Sequence, residues 1–255
     1  MTGLSFITLL AYDYRYAFKS LRSYYDIADE ILLGVDVGRL TWMRRPFEFN
    51  RNEVDEFIAS IDTAGKIRLV EDNYHVYDDP MRNDVHERSA LSLLTRPENW
   101  VVQIDADEIL LNAAEFRQWL LQTDPVAFDV YAQWITVFKI IGDHALVIDP
   151  PGEPAPVATR LRGQYMYSRQ TPQRGFMSPL KILHYSWGRS REELLQKLDN
   201  WGHSGDFDAH RFLEFWDSLD LQNYTRVRDF HPLHGAIWRA LKLVPVGRRS
   251  TAEFL

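Results

Sequence analysis

The chain has 255 residues, of which 45% are hydrophobic, with a formal net charge of −7 and no cysteine. The acidic balance argues against a nucleic-acid binder, which needs a basic face for phosphates, and the missing cysteines exclude disulfides and thiolate metal sites. A metal site here must be built from carboxylate and imidazole, a donor set suited to magnesium or manganese.

The length supports one α/β domain with an extension. The apolar start, S-F-I-T-L-L-A-Y, is too short and lacks the basic flank of a signal peptide, and no apolar run reaches the ~18 residues of a membrane span. The expected location is therefore cytoplasmic.

In chain order, residues 5–11 read as a strand, 15–25 as a helix, and 30–36 (E-I-L-L-G-V-D) as a second strand ending on a carboxylate. Residues 50–64 form a helix: Asn50 caps, Glu53 reaches back, and Val54, Phe57, Ile58 and Ile61 recur at helical spacing. Residues 67–70 give a third strand ending on Glu71 and Asp72, residues 84–94 a helix, and residues 100–104 the next strand. Asn112 with Glu115 opens another helix as a capping pair. This alternation predicts an α/β fold with a mostly parallel sheet flanked by helices. Asp36, Glu71 with Asp72, and Asp105 with Asp107 then share one sheet edge, where open α/β sheets bind ligands.

Beyond Asp124 the texture changes. Residues 127–141 read as one long or two short strands, and residues 150–156, with four prolines, as a loop that is either a plain connection or an acceptor-binding element. Residues 180–184 form a last strand ending on His184, and Ser190 with Glu193 caps a helix through Trp201. Residues 206–255 read as a helical C-terminal extension to a domain spanning residues 1–205. Within it, Ile237, Trp238, Leu241 and Leu243 interleave with Arg239 and Lys242 as a short basic amphipathic helix. Such a helix either packs on the domain or makes peripheral contact with an anionic membrane.

Two Asp-x-Asp pairs occur, about the number chance gives. Asp206 and Asp208 lie in a polar stretch and read as a solvated loop. Asp105 and Asp107 instead follow the hydrophobic strand W-V-V-Q-I and are crowded by Glu108, so they repel unless a cation or hydrogen-bond donors neutralise them. The expectation is a divalent ion on Asp105 and Asp107, with Glu108 in support and His184 as a further ligand. The bland alternatives are an exposed acidic turn and a core-packed histidine.

D-E-I-L-L-G-V-D, W-V-V-Q-I-D-A-D-E-I-L and L-H-Y-S-W-G-R-S-x-E-x-x-x-x-K, in this order over residues 5–205, resemble the family 2-like glycosyltransferases with a GT-A (Rossmann-like) fold. The resemblance implies a transferase that moves a sugar from a UDP-, dTDP- or GDP-linked donor to a hydroxyl on a glycan or lipid-linked acceptor, with Mn²⁺ or Mg²⁺ as cofactor. It places Asp105 and Asp107 against the metal and donor diphosphate, with His184 completing the contacts. Ala11, Tyr12, Asp13 and Asp36 then hold base and ribose, Glu71 or Asp72 assists, and Arg88 and Lys197 approach the phosphates.

An inverting transfer also needs a carboxylate base, and the Glu-Asp pair common in the family is missing between Asp107 and His184. Asp143 and Asp149 are available, each reading more simply as a turn residue, and Asp149 is the candidate base. Trp134 and Trp187 are candidate sugar platforms, and Arg44 and Arg45 read as a solvated pair. The competing functions are a metal-dependent nucleotidyltransferase, for which A-Y-D-Y-R-Y makes a poor phosphate loop, and a non-catalytic nucleotide- or sugar-binding module.

Overall fold

The computed structural model describes residues 2–123, 128–202 and 205–246. Ala127, expected to open a strand, and residues 247–255 of the expected C-terminal extension lie outside this range. Strand β1 (Leu4–Leu10) leads through a short turn to helix α1 (Ala17–Tyr24), and β2 (Glu30–Asp36), α2 (Arg51–Ile61), β3 (Ile67–Asp72), α3 (Pro80–Leu93) and β4 (Trp100–Gln103) follow. β1 pairs in parallel with β2 and β4, and β2 with β3, so the order β3-β2-β1-β4 forms a parallel half-sheet.

Its inner strands β1, β2 and β4 are buried along nearly their whole length because both faces are covered. Phe6, Leu33 and Val102 pack with Leu21 of α1 and Val54 and Phe57 of α2. Ile7, Leu32 and Val101 instead meet Leu91 of α3. A Cβ on Gly34 in β2 would collide with the Leu91 side chain and crowd Glu87. Glycine at this position therefore lets α3 dock closely enough to bring its polar face to the strand ends.

The second half is mixed. It comprises β5 (Glu108–Leu110), α4 (Ala113–Gln122), β6 (Phe128–Ile141), β7 (His144–Asp149), β8 (Pro154–Thr159), β9 (Arg174–His184), α5 (Arg191–Asn200), α6 (Ala209–Ser218) and β10 (Ala240–Pro245). β8 lies antiparallel between β4 and β6, while β9 runs parallel to β6 and antiparallel to β5, setting His184 opposite Glu108.

Ser190 with Glu193 forms the expected reciprocal capping box, whereas at α2 only half of the pair forms: the Asn50 side chain accepts from the Glu53 N–H, but the Glu53 carboxylate turns to the Tyr14 hydroxyl and Arg15 instead of reaching back. Asn112 does not cap α4, because it adopts a left-handed conformation (φ 54°) with its side chain turned to Glu115. α3 begins at Pro80 rather than Asp84, since Asp79 caps it with proline in the first turn, where no N–H is needed.

Two larger corrections concern the second half. The proline-rich stretch is not all loop: Pro154 and Pro156 belong to β8, at positions paired with β6 but beyond the Val101–Val102 pairing to β4, where a missing N–H breaks no ladder on the open side. The expected amphipathic C-terminal helix is instead strand β10, antiparallel to β7, with Leu241 and Val244 buried and Lys242 exposed. Nor does residue 205 bound a separate core. Phe212, Leu213, Trp216, Trp238 and Leu241 form one aromatic cluster with Phe138, Leu146, Trp187 and Leu194. Among the described residues no helix is long and apolar enough to cross a membrane.

Candidate functional site

The carboxyl ends of β1, β2 and β4 open onto a cavity of about 520 Å³, whose far wall comes from the end of β9, α5 and residues 231–238. Ala11, Tyr12, Asp13, Asp36, Arg88, Asp105, Asp107, His184 and Lys197 all line it. Glu71 and Asp72 do not, because β3 is the outermost strand. Glu71 is bonded there by Arg39 and Arg51, and Asp72 turns its carboxylate to the Asn73 N–H. Asp149 lies exposed at the end of β7, in register with Ala240 of β10 and outside the cavity wall. Arg44 is exposed beside His75 and Asp78, and Arg45 is exposed too. The second Asp-x-Asp is structural: Asp208 caps α6.

At one end of the cavity the Asp36 carboxylate accepts the backbone N–H groups of Leu40 (3.1 Å) and Tyr74 (3.0 Å), fixing the turn after β2. Above it, the Trp42 indole donates to Glu87 at 3.0 Å, and burial pushes the Glu87 carboxyl up to about 8.

The middle is a lattice of alternating charge. Arg88 donates to Asp84 (2.5 Å) and to both oxygens of Asp105 (3.0 and 3.3 Å). Arg169 joins Asp105 (2.5 Å) to the fully buried Glu108 (2.8 and 3.0 Å). Burial alone would raise the Asp105 carboxyl, but Arg169 and Arg88 outweigh it and hold it at about 2. Glu108 also accepts the Asp105 N–H and the Trp134 indole, so it braces the box from behind.

Asp107 faces a different set. Arg189 donates to it at 2.6 Å, while Lys197 Nζ lies at 3.9 Å and His184 Nε2 at 3.6 Å. Burial opposes ionisation, yet the neighbouring His184, Arg189 and Lys197, in that order, keep the Asp107 carboxyl well below the usual range. Burial, with Arg189 adding to it, brings Lys197 down to about 8. It also lowers the His184 imidazole against the opposing pull of Asp107, and the buried Nδ1 of that ring has no partner among the described residues.

Among the described residues no three carboxylate or imidazole groups close into a metal-binding cluster. Asp105 is taken up by two arginines; Asp107 is bound by Arg189 and also faces His184 beyond hydrogen-bonding distance, the two forming an oxygen and a nitrogen donor that suit a cation of the magnesium or manganese type.

At the other end lie Trp134, Trp238, His231 and Glu153. Trp134 packs against His184 with ring centroids 4.5 Å apart, while Trp187 is only 2% exposed and serves mainly the aromatic core. Sequence reasoning missed Arg169, Arg189, Asp84, Glu87, Glu153 and His231. Arg189 stood within the H-Y-S-W-G-R-S block and Glu153 within the proline-rich stretch, and these were the only available signals.

No protein-family model and no curated protein matches the chain. Among solved structures it is similar to S. aureus TarS 1–349 in complex with UDP, with 11% identity and a TM-score of 0.35, covering 55% of this chain and 37% of that one. A mycobacterial protein gives 15% identity, a TM-score of 0.32, and 52% and 42% coverage. 4-Diphosphocytidyl-2C-methyl-D-erythritol synthase gives 11% identity, a TM-score of 0.34, and 85% and 86% coverage. The chain thus spans less than half the length of the TarS and mycobacterial chains.

Proposed function

We propose that the chain transfers a sugar from a nucleoside-diphosphate donor to a hydroxyl acceptor on a glycan or a lipid-linked saccharide, within a GT-A-type fold. The observation that carries this reading is the succession along one cavity: a hydrogen-bonding end at Asp36, Trp42 and Glu87, a cationic middle, and an aromatic end with a carboxylate. In the middle, Arg88, Arg169, Arg189 and Lys197 surround the Asp-x-Asp box and supply donors for a departing diphosphate.

Ala11, Tyr12 and Asp13 sit at the turn after β1, beside Arg189, where ribose and phosphate meet in the proposed pose. Asp107 and His184 are the residues that fit a bound Mn²⁺ or Mg²⁺. Such an ion would supply further charge neutralisation for the leaving diphosphate. Nucleotidyl transfer is less favoured because the turn after β1 offers no phosphate cradle: its one basic side chain, Arg15, is exposed and paired with Glu53.

The test titrates purified protein with UDP-, dTDP- and GDP-sugars, with and without Mn²⁺, following thermal shift and release of nucleoside diphosphate. Stabilisation by one nucleotide class with release of its diphosphate supports transfer. Binding without release under any acceptor points to a non-catalytic module, and neither binding nor release overturns the proposal.

A further inference from the structure

We propose that Glu153, held by His231 and Trp238 of the C-terminal segment, is the general base that takes the proton from the acceptor hydroxyl. This inference rests on the glycosyl-transfer reading above.

Glu153 stands just before β8, and its carbonyl accepts the Trp134 N–H at 3.1 Å, tying the loop to β6. Its side chain, 20% exposed, lines the cavity. Oε2 accepts the Trp238 indole N–H at 2.6 Å and lies 3.5 Å from the Thr136 hydroxyl. Oε1 lies 3.5 Å from His231 Nε2.

The His231 tautomer follows from its other nitrogen. Nδ1 accepts the backbone N–H groups of Leu233 (3.1 Å) and His234 (2.9 Å), so in the neutral ring the proton sits on Nε2 and points at Glu153. Both side-chain donors therefore favour the ionised carboxylate, and they outweigh the burial that opposes it.

Register places this carboxylate relative to the leaving group. His184 stands opposite Glu108 on one side and Thr136 on the other, and Thr136 touches Glu153. Glu153 is thus across His184 from the Asp-x-Asp box, on the side an attacking hydroxyl must approach if the diphosphate lies over the box. It also differs in state from its neighbours. Asp13, Asp84, Asp105 and Asp107 are bound by arginines, Asp36 is consumed by a turn, and Glu87 sits with the tryptophan of the opposite end.

In the step, the acceptor oxygen forms a bond to the anomeric carbon while its proton passes to Glu153. The bond from that carbon to the diphosphate breaks, its electron pair leaving on the diphosphate oxygen. Direct displacement inverts the anomeric configuration, and Glu153 then releases its proton to water. His231 and Trp238 are positioning residues.

The experiment uses the full chain with the sugar nucleotide that wild type turns over, water and methyl glycosides serving as acceptors. Expected are at least a 100-fold loss of kcat in Glu153→Gln with the Kd for the free nucleoside diphosphate unchanged within threefold, partial recovery in Glu153→Asp, and an inverted anomer first formed by wild type. In His231→Gln, kcat falls with little change in the donor KM. Retained configuration, or a Glu153→Gln loss under tenfold, overturns the base assignment while leaving glycosyl transfer standing. If wild type releases no nucleoside diphosphate from any donor, glycosyl transfer and the base assignment both fail.

Discussion

Arg189 donates from one nitrogen to Asp107 at 2.6 Å and to Asp13 at 2.8 Å, joining the box after β4 to the turn after β1 through a residue more than eighty positions further on. Its side chain is 2% exposed and stacks over the Tyr16 ring, and its Nε has no partner among the described residues. One guanidinium therefore holds together the two sides of the proposed phosphate site.

Arg189→Met removes that clamp and leaves two crowded carboxylates with less cationic support. Breaking a buried pair from one side costs about 3–5 kcal/mol, and urea unfolding is expected to show a loss of that order. Nucleotide affinity, followed by fluorescence titration, is expected to fall at least tenfold. A variant with wild-type stability and affinity would show that Arg189 does not organise the site.

Glu87 gives the pH prediction. Its carboxyl is raised from 4.5 to about 8, so between those values the folded chain binds a proton that the unfolded chain has lost. The stabilisation is full below pH 4.5 and is lost as pH rises through 8, because stability falls wherever the native state binds more protons. Each tenfold change in proton affinity is worth roughly 1.4 kcal/mol, so a rise of this size contributes on the order of a few kcal/mol. Glu87→Gln removes this contribution. The difference in unfolding free energy between wild type and variant is expected to change by that amount from pH 5 to pH 8, and parallel stability curves would show that the Glu87 carboxyl is not raised.

Gly34 controls how α3 meets the sheet. A methyl group there would run into Leu91, and the helix that would have to move carries Asp84, Glu87 and Arg88. Overpacking of this kind costs about 1–3 kcal/mol. Gly34→Ala is expected to lower the thermal midpoint and also to weaken nucleotide binding, although Gly34 itself is not part of the cavity wall. A loss of stability without a loss of affinity would mean that α3 adjusts without carrying its charged face along.

These residues also mark what the sequence made legible. The strand 100–104 and its acidic end could be read because a strand and the residues that follow it are local, and the Asn50 and Ser190 caps because capping spans four positions. Glu153 and Arg169 could not, since their partners lie 85 and 64 residues away and only the pairing of β6 with β8 and β9 brings them in. β10 was misread because Ile237, Trp238, Leu241 and Leu243 suit a helical face as well as Leu241 and Leu243 suit a strand. Only the open edge of β7, which lies far off in sequence, decides between them.

The division of labour between the two aspartates gives the last prediction. Asp105 is committed to Arg88 and Arg169, and Asp107 alone faces His184. If the cation binds at Asp107 and His184, Mn²⁺ raises the thermal midpoint of wild type, and EDTA reverses the rise. His184→Ala and Asp107→Asn are expected to abolish that response. Asp105→Asn is expected to keep it while lowering the metal-free midpoint, since it weakens the pairing of two buried guanidinium groups. A response abolished equally by all three substitutions would place Asp105 among the ligands, and its rearrangement away from the arginines would then accompany metal binding. No response in wild type, with nucleotide binding intact, would instead leave the neutralisation of the diphosphate to Arg88, Arg169, Arg189 and Lys197.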